Sequence, residues 1–130
     1  MLDLPPYAEL LRLSVTMEDD RLLFTMPFHD DVTGRPGYLH GGAIAALLEF
    51  AAFGTLRRRL EREGTRIKPV TVTTDFMRGG RARDTYADAV IERLGRRIAN
   101  VDAFAWQVRR ESPIASARMT FVLDSSRGAD

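Results

Sequence analysis

The chain has no cysteine among its 130 residues, which excludes a disulfide framework and a thiolate nucleophile. It has only two histidines, and no spacing of histidine with acidic residues predicts a metal site. A Gly-x-Ser-x-Gly motif is also missing, so the nucleophile elbow of a Ser-His-Asp hydrolase is not predicted. These absences exclude thiol chemistry and favour neither a metalloenzyme nor a serine hydrolase.

Long apolar runs and a strong net charge are missing as well. The longest apolar run, Ala43 to Leu48, is far too short to span a bilayer. The first residues show no basic segment followed by an apolar one, so we predict no signal peptide and a cytoplasmic location. The formal net charge is +1, which gives no field that would attract nucleic acid. We therefore expect neither a nucleic-acid partner nor a membrane partner.

The order of predicted elements indicates an α+β fold in one domain, residues 1–130, with no linker or repeat. A short helix at Tyr7–Leu13 and a hairpin of Leu13–Glu18 and Arg21–Pro27 come first. The helix Ala43–Leu56 is apolar on every side, apart from Glu49, which is typical of a buried helix. Four strands follow: Pro69–Arg78, Thr85–Leu94, Arg97–Arg110 and Ile114–Asp124. We expect these antiparallel strands to wrap the long central helix.

His40, Gly41 and Gly42 stand directly before this helix. Glycines let the backbone approach a ligand closely because they have no Cβ. The first helical turn has N–H groups without partners inside the helix, and the helix dipole adds to their attraction for a negative oxygen. In acyl transfer that oxygen is a thioester carbonyl, which gains charge in the tetrahedral intermediate. His40 is a candidate to bind the same carbonyl or to orient the acyl group.

Glu49 follows His40 by nine residues, which places it about 13 Å along the helix axis. One carbonyl cannot reach both groups within one subunit. Two such helices lying antiparallel about a two-fold axis would combine His40, Gly41 and Gly42 of one chain with Glu49 of its partner. The apolar neighbours of Glu49 predict a raised pKa, which suits a base that works near neutrality. A structural ion pair with an arginine is the alternative role for this carboxylate.

Arginine supplies nearly all of the positive charge and holds phosphate through two parallel hydrogen bonds. The arginines after the helix form two groups in the sequence: Arg78, Arg81 and Arg83, then Arg93, Arg96 and Arg97. Each group is either a phosphate-binding site or a solvated basic rim.

Taken together, His40-Gly41-Gly42 and the acid nine positions after the histidine resemble the hotdog-fold acyl-CoA thioesterases, specifically the phenylacetic-acid-pathway (PaaI-like) branch. The resemblance extends over roughly Arg21 to Leu123 and includes the Gly95-Arg96 turn. It implies an antiparallel sheet wrapped around a central helix, in a homodimer or a dimer of dimers. Two departures stand out: Glu49 replaces the aspartate of many members, and Gly34 replaces an asparagine of several relatives.

The activity that this resemblance implies is hydrolysis of a small or medium acyl- or aryl-CoA to free acid and CoA, without metal or cofactor. The Gly42 amide would polarise the thioester carbonyl, and Glu49 of the partner subunit would activate water or attack directly. Thr71 or Thr73 would hold the water. Arginines of both groups, Arg78, Arg81, Arg83, Arg96 and Arg97 among them, would bind the CoA phosphates.

Three alternatives remain from the sequence. A hotdog hydroxyacyl-thioester dehydratase would pair His29 with Glu49 across a dimer, although the helices of those enzymes usually open with Pro-Gly rather than His-Gly-Gly. A hotdog protein that binds acyl-CoA without turnover is the second alternative, because a fold does not by itself determine function. A structural dimer module is the third, and the spacing of the glycines and the acid speaks against it.

Overall fold

A computed structural model describes residues 4–60 and 64–124. Residues 1–3, which entered the prediction of no signal peptide, lie outside this part of the chain, as do residues 61–63 and 125–130 of the predicted domain. The helices and strands are α1 (Tyr7–Leu10), β1 (Ser14–Glu18), β2 (Arg21–Met26), α2 (Gly41–Arg59), β3 (Arg66–Phe76), β4 (Thr85–Leu94), β5 (Ile98–Trp106) and β6 (Ala115–Asp124). Every predicted helix and strand is therefore present. The difference from prediction that matters most for function is at α2. This helix starts two residues earlier than predicted and includes both glycines.

The six strands form one antiparallel sheet in the order β1-β2-β4-β5-β6-β3. The predicted hairpin is confirmed, since β1 pairs with β2 across Asp19 and Asp20, both of which have positive φ. Strand β3 is an edge strand, and its pairing with β6 is interrupted by a bulge between Pro69 and Thr71. A proline is tolerated at such a position because it removes no hydrogen bond from a central ladder.

Helix α2 packs across one face of the sheet and contacts strands β2 to β6. The sheet residues beneath it are mostly small and fully or nearly fully buried: Ala87, Ala89, Ala99, Ala103 and Ala105. Their short side chains leave space for the helix, whose Leu47, Leu48 and Ala51 are completely buried in the same core. The predicted architecture, an antiparallel sheet wrapped around a long central helix, is confirmed.

The prediction that α2 is buried on all sides is wrong for the single chain. The sheet covers one side of the helix, while Ala45, Ala46, Phe50 and Phe53 are only partly buried and Glu49 is exposed. An apolar face that stays open on a long helix needs a further partner to cover it. Although α2 is apolar, neither it nor another helix in the described part of the chain could cross a membrane.

Candidate active site

The N-terminus of α2 is capped by His40. Its backbone is extended, with φ −72° and ψ 133°, and its Nδ1 accepts a hydrogen bond of 2.8 Å from the Gly42 N–H. A ring nitrogen that accepts is unprotonated, so the ring proton of the neutral histidine is on Nε2 in this arrangement. The side chain that the sequence assigned to the substrate carbonyl therefore also satisfies one of the orphan donors at the helix start.

The free amide at this helix end belongs to Gly41. The Gly42 N–H is bound to His40, and the N–H groups of Ala43 and Ile44 both donate to the His40 carbonyl, at 3.0 and 3.2 Å. Within residues 4–60 and 64–124, no hydrogen bond from the Gly41 N–H is found. The sequence assigned the polarising role to Gly42, whereas the amide that has no hydrogen bond among the described residues is one residue earlier.

Glu49 lies on the open face of α2, beside an open cavity of about 430 Å³. The cavity is lined mainly by apolar groups: Pro5, Tyr7, Gly42, Ala45, Ala46, Phe50, Phe53, Pro69, Met119 and Phe121. Partial burial among them raises the pKa of Glu49, as predicted. Glu49 forms no ion pair with any described residue, so the alternative of a structural pair with arginine is not supported.

Tyr7 is a member of this cavity that the sequence analysis missed. Its ring lies 6.4 Å from that of Phe50, centroid to centroid, and α1 thereby forms one wall beside Glu49. Nothing local in the sequence connects residue 7 with residue 50, and only the folded chain brings them together.

Thr71 and Thr73 lie on the wrong side of the sheet for the predicted role. They pair with Thr120 and Arg118, whereas the buried core residues of β6 alternate with these two. Directly paired residues share a face, so both threonines point away from α2. Thr74 pairs with the buried Ala117 and is half-buried, so its hydroxyl is on the helix side of the sheet, outside the cavity that Glu49 lines in the same chain.

The first group of arginines converges on one cavity of about 470 Å³. Arg78, Arg81 and Arg83 line it, and Arg35, which the sequence analysis did not select, joins them. The guanidinium groups of Arg35 and Arg81 lie 4.4 and 4.8 Å from the ring centroid of Tyr38. In the described part of the chain, none of the four arginines forms an ion pair with a carboxylate. We call these four residues with Tyr38 the arginine pocket.

The second group of arginines lies at the other end of α2. Arg96 and Arg97 line a cavity of about 850 Å³ together with Arg59, the last residue of the helix. The 19 residues of α2 correspond to a length of about 28 Å. Within one chain, the structure therefore separates the two predicted groups of phosphate-binding arginines instead of joining them.

Gly34 packs against the backbone of the residue that caps α2. A Cβ at this position would lie 3.0 Å from the His40 Cα, and the Gly34 N–H donates to the Tyr38 carbonyl. A side chain at position 34 would therefore require the loop or the start of α2 to shift slightly.

His29 is not placed beside Glu49. Its Nε2 lies 3.2 Å from the Leu11 carbonyl oxygen, and the side chain does not line the Glu49 cavity. Within one chain, His29 and Glu49 are therefore not paired, and the pairing across a dimer that a dehydratase would use stays an alternative. In the described residues there is also no group of three or more acidic, histidine or cysteine side chains that could hold a metal ion.

Comparison with known proteins identifies the family. A model of the thioesterase superfamily matches residues 36–114, which include the whole segment from His40 to Glu49. A structure from Chromobacterium violaceum is 33% identical, covers 94% of this chain and 85% of its own, and has a TM-score of 0.77. No match was found among curated proteins.

Two further solved structures share the fold at lower identity. A phenylacetic acid degradation-related protein from Ralstonia eutropha JMP134 is 23% identical, with coverage of 92% of this chain and 91% of that one and a TM-score of 0.81. A Bacillus halodurans protein solved with CoA is 21% identical, with coverage of 95% and 82% and a TM-score of 0.82. The chain described here belongs to the thioesterase superfamily and is a thioester hydrolase with the hotdog fold.

Proposed function

We propose that the protein hydrolyses acyl-CoA thioesters to the free acid and CoA as a homodimer, without metal or cofactor. One observation carries the proposal: α2 presents a free Gly41 amide at its positive end and a carboxylate in an apolar cavity on its open face. The fold shared with the phenylacetic acid degradation-related protein supports placement in that branch.

The open face of α2 supports an antiparallel helix pair about a two-fold axis. Ala45 and Ala46 lie at the centre of this face, and their small side chains allow two helices to approach closely. If the helices cross there, Gly42 of one chain lies opposite Glu49 of the partner subunit, because the two are equally distant from the crossing point. The carboxylate of one chain then meets the helix start of the other.

The exposed edge of β3 supports the same dimer. Among the described strands, β3 has no neighbour beyond β6, and Val70, Val72 and Phe76 are 42–55% exposed. An apolar edge of this kind pairs readily with another strand. Antiparallel pairing of two β3 strands would continue the sheet and place both α2 helices on the same face. Association of such dimers into a dimer of dimers stays a prediction.

The reaction follows from the groups at this site. The thioester carbonyl oxygen accepts a hydrogen bond from the Gly41 N–H, and the α2 dipole stabilises the charge that develops there. Glu49 of the partner subunit takes a proton from water, and the water oxygen bonds to the carbonyl carbon. When the tetrahedral intermediate collapses, the C–S bond breaks and the proton from Glu49 passes to the CoA sulfur. Direct attack by Glu49, with an anhydride intermediate, is the alternative course.

Thr74 replaces Thr71 and Thr73 as the proposed holder of the water. Its hydroxyl is on the helix side of β3, between Val72 and Phe76, and the Phe76 ring lies over Gly41. A hydroxyl can accept a hydrogen bond from water and donate another, so it can orient the attacking oxygen.

The two cavities fit the two halves of the substrate. The apolar cavity at Glu49 takes a small or medium acyl or aryl group, and the arginine pocket, next to the start of α2, takes the phosphates of CoA. The CoA bound by the Bacillus halodurans protein of the same fold supports this class of ligand.

Thiol release from a panel of aryl-, short- and medium-chain acyl-CoAs tests the proposal, with wild type beside Glu49→Gln and Glu49→Asp. We expect Glu49→Gln to lose a factor on the order of 10² to 10⁴ in rate, because no base remains, and Glu49→Asp to keep a measurable rate. Glu92→Gln, at an exposed position on β4, is the matched control and should behave like wild type.

Full activity of Glu49→Gln would exclude the carboxylate from the mechanism. CoA-ester binding without thiol release from any substrate would instead favour the binder without turnover.

A further inference from the structure

The side chain of Gln107, directly after β5, makes four hydrogen bonds to one short segment, residues 81–85. Its Oε1 accepts from the Arg81 N–H at 2.9 Å. Its Nε2 lies 3.0 and 3.2 Å from the carbonyl oxygens of Arg81 and Arg83 and 3.0 Å from the Thr85 hydroxyl, and because the amide has two hydrogens, two of these three acceptors share one hydrogen. Residues 81–84 belong to no strand, and β4 begins at Thr85. The side-chain amide of Gln107 therefore supplies the hydrogen bonds that a neighbouring strand would otherwise make to this segment.

This segment carries two of the four arginines of the arginine pocket. Arg81 and Arg83 share a cavity with Arg35 and Arg78, and Gln107 itself forms part of the wall. The four like charges have no carboxylate partner among the described residues and repel one another, and this repulsion favours opening of the segment that carries Arg81 and Arg83 when no ligand is bound. The contacts of Gln107 are with the backbone of this loop, so they oppose its opening without neutralising any arginine.

The same segment is joined to the start of α2. Tyr38 forms a bridge with Arg81, and the Leu39 N–H donates to the Gly80 carbonyl at 2.9 Å. A Cβ at Gly80 would lie 2.6 Å from the Leu39 side chain, which shows how closely the two segments pack. Leu39 is followed by His40 and Gly41, so the arginine pocket and the free amide are parts of one connected surface.

We infer that Gln107 is a positioning residue that preorganises the arginine pocket for the phosphates of CoA and thereby determines the preference for CoA esters over thioesters that lack phosphate. The inference rests on the proposed function, because it assigns the arginine pocket to CoA. Gln107 does not touch the reacting atoms, and its effect is on binding of the phosphates.

The experiment compares wild type, Gln107→Met and Asn100→Ala on one acyl group carried by CoA or by pantetheine, which has the same thiol arm without phosphates. Methionine keeps the size of glutamine and removes all four hydrogen bonds. Asn100 makes a single side-chain hydrogen bond, to Thr120 on the neighbouring strand, and is the matched control. Calorimetric titrations with CoA itself and with pantetheine are run on all three proteins.

For Gln107→Met we expect KM for acyl-CoA and Kd for CoA to rise about tenfold, with kcat nearly unchanged and KM for acyl-pantetheine as in wild type. Asn100→Ala should match wild type on both substrates. Equal losses on both substrates, or unchanged CoA binding, would overturn the positioning role. If wild type instead treats both substrates alike and binds CoA no better than pantetheine, the phosphate site of the proposed function fails. If wild type hydrolyses neither substrate, the titrations with CoA alone test Gln107. Weaker CoA binding by Gln107→Met then supports the positioning role, and unchanged binding overturns it.

Discussion

Glu49 is a carboxylate whose surroundings do not favour its charge. The helix residues around it are apolar, no described cation pairs with it, and partial burial raises its pKa. A base needs a pKa close to the working pH, because it must be ionised yet still hold a proton in the transition state. The raised pKa of Glu49 therefore costs the folded chain a little stability. The same raised pKa serves the proposed reaction.

The raised pKa predicts the pH dependence of the rate. Glu49 acts as a base only when ionised, so kcat/KM should rise with pH through a pKa above that of an ordinary glutamate and level off beyond it. The measurement is kcat/KM for the best acyl-CoA between pH 4 and 9. A profile that is flat through the acidic range would contradict the role of Glu49.

The raised pKa of Glu49 also predicts how the stability of Glu49→Gln compares with that of wild type. The folded-state pKa is above the unfolded one, so stability from protonated Glu49 is present below the unfolded pKa and is lost as pH rises through the folded pKa. Thermal unfolding at pH 7 should therefore show Glu49→Gln at least as stable as wild type. Its advantage should vanish near pH 4, and a lower Tm at pH 7 would mean that the rate loss reports misfolding.

The residues of the candidate site could be proposed from the sequence, but the groups that are available to a ligand could not. The spacing of His40 and Glu49 indicated the candidate site, whereas the difference between the Gly41 and Gly42 amides depends on where the His40 ring lies. The sides of the strand could be predicted from the sequence. Val72, Thr74 and Phe76 occupy alternate positions of β3 and share one side, and Thr71 and Thr73 lie on the other.

At the scale of elements, the start of α2 decides which amide faces the substrate. The sequence predicted both glycines before the helix, and the structure includes them in its first turn. The N–H of the first helical residue has no partner inside the helix, and here the cap serves Gly42 instead. The Gly41 donor is therefore fixed in direction by the helix.

The substitution Gly41→Pro removes this N–H donor and leaves the rest of the helix start unchanged. Proline lacks the N–H, is favoured at the first helical position, and requires an extended residue before it, which the His40 ψ of 133° already provides. We predict that Gly41→Pro loses a factor on the order of 10² to 10³ in kcat with little change in Tm, the usual cost of one oxyanion donor.

Gly41→Ala is the matched control because it keeps the N–H. Its Cβ would lie 3.7 Å from the Phe76 ring, an ordinary contact. Comparable losses in kcat for the alanine and proline variants would show that added bulk, rather than the missing amide, is responsible.

The boundaries of the strands followed from local patterns, and their arrangement did not. Turn residues such as Gly79-Gly80 and Ser112-Pro113 separate the four later strands in the sequence. The position of β3 at the edge, beside β6, is a contact between distant segments that no local pattern encodes. The apolar character of α2 predicted that all its faces need cover, but only the fold shows which face the sheet leaves open.

At the scale of the whole molecule, the two groups of arginines suggest how the dimer binds its substrate. In one chain they lie at opposite ends of α2. In the proposed antiparallel dimer, the end of α2 that carries Arg59 extends past the helix start of the other chain. Arg59, Arg96 and Arg97 of one subunit then approach the arginine pocket of the other, and both groups could contact one CoA.

The most direct test of a site shared between two subunits is complementation. Gly41→Pro and Glu49→Gln are each inactive by prediction, and a hybrid dimer contains one site with the natural Gly41 of one chain and the natural Glu49 of the other. After equimolar mixing and subunit exchange, verified by native mass spectrometry, half of the dimers are hybrids with one intact site each. Thiol release should then recover to about a quarter of the wild-type rate. An inactive mixture that contains hybrid dimers would contradict the shared site.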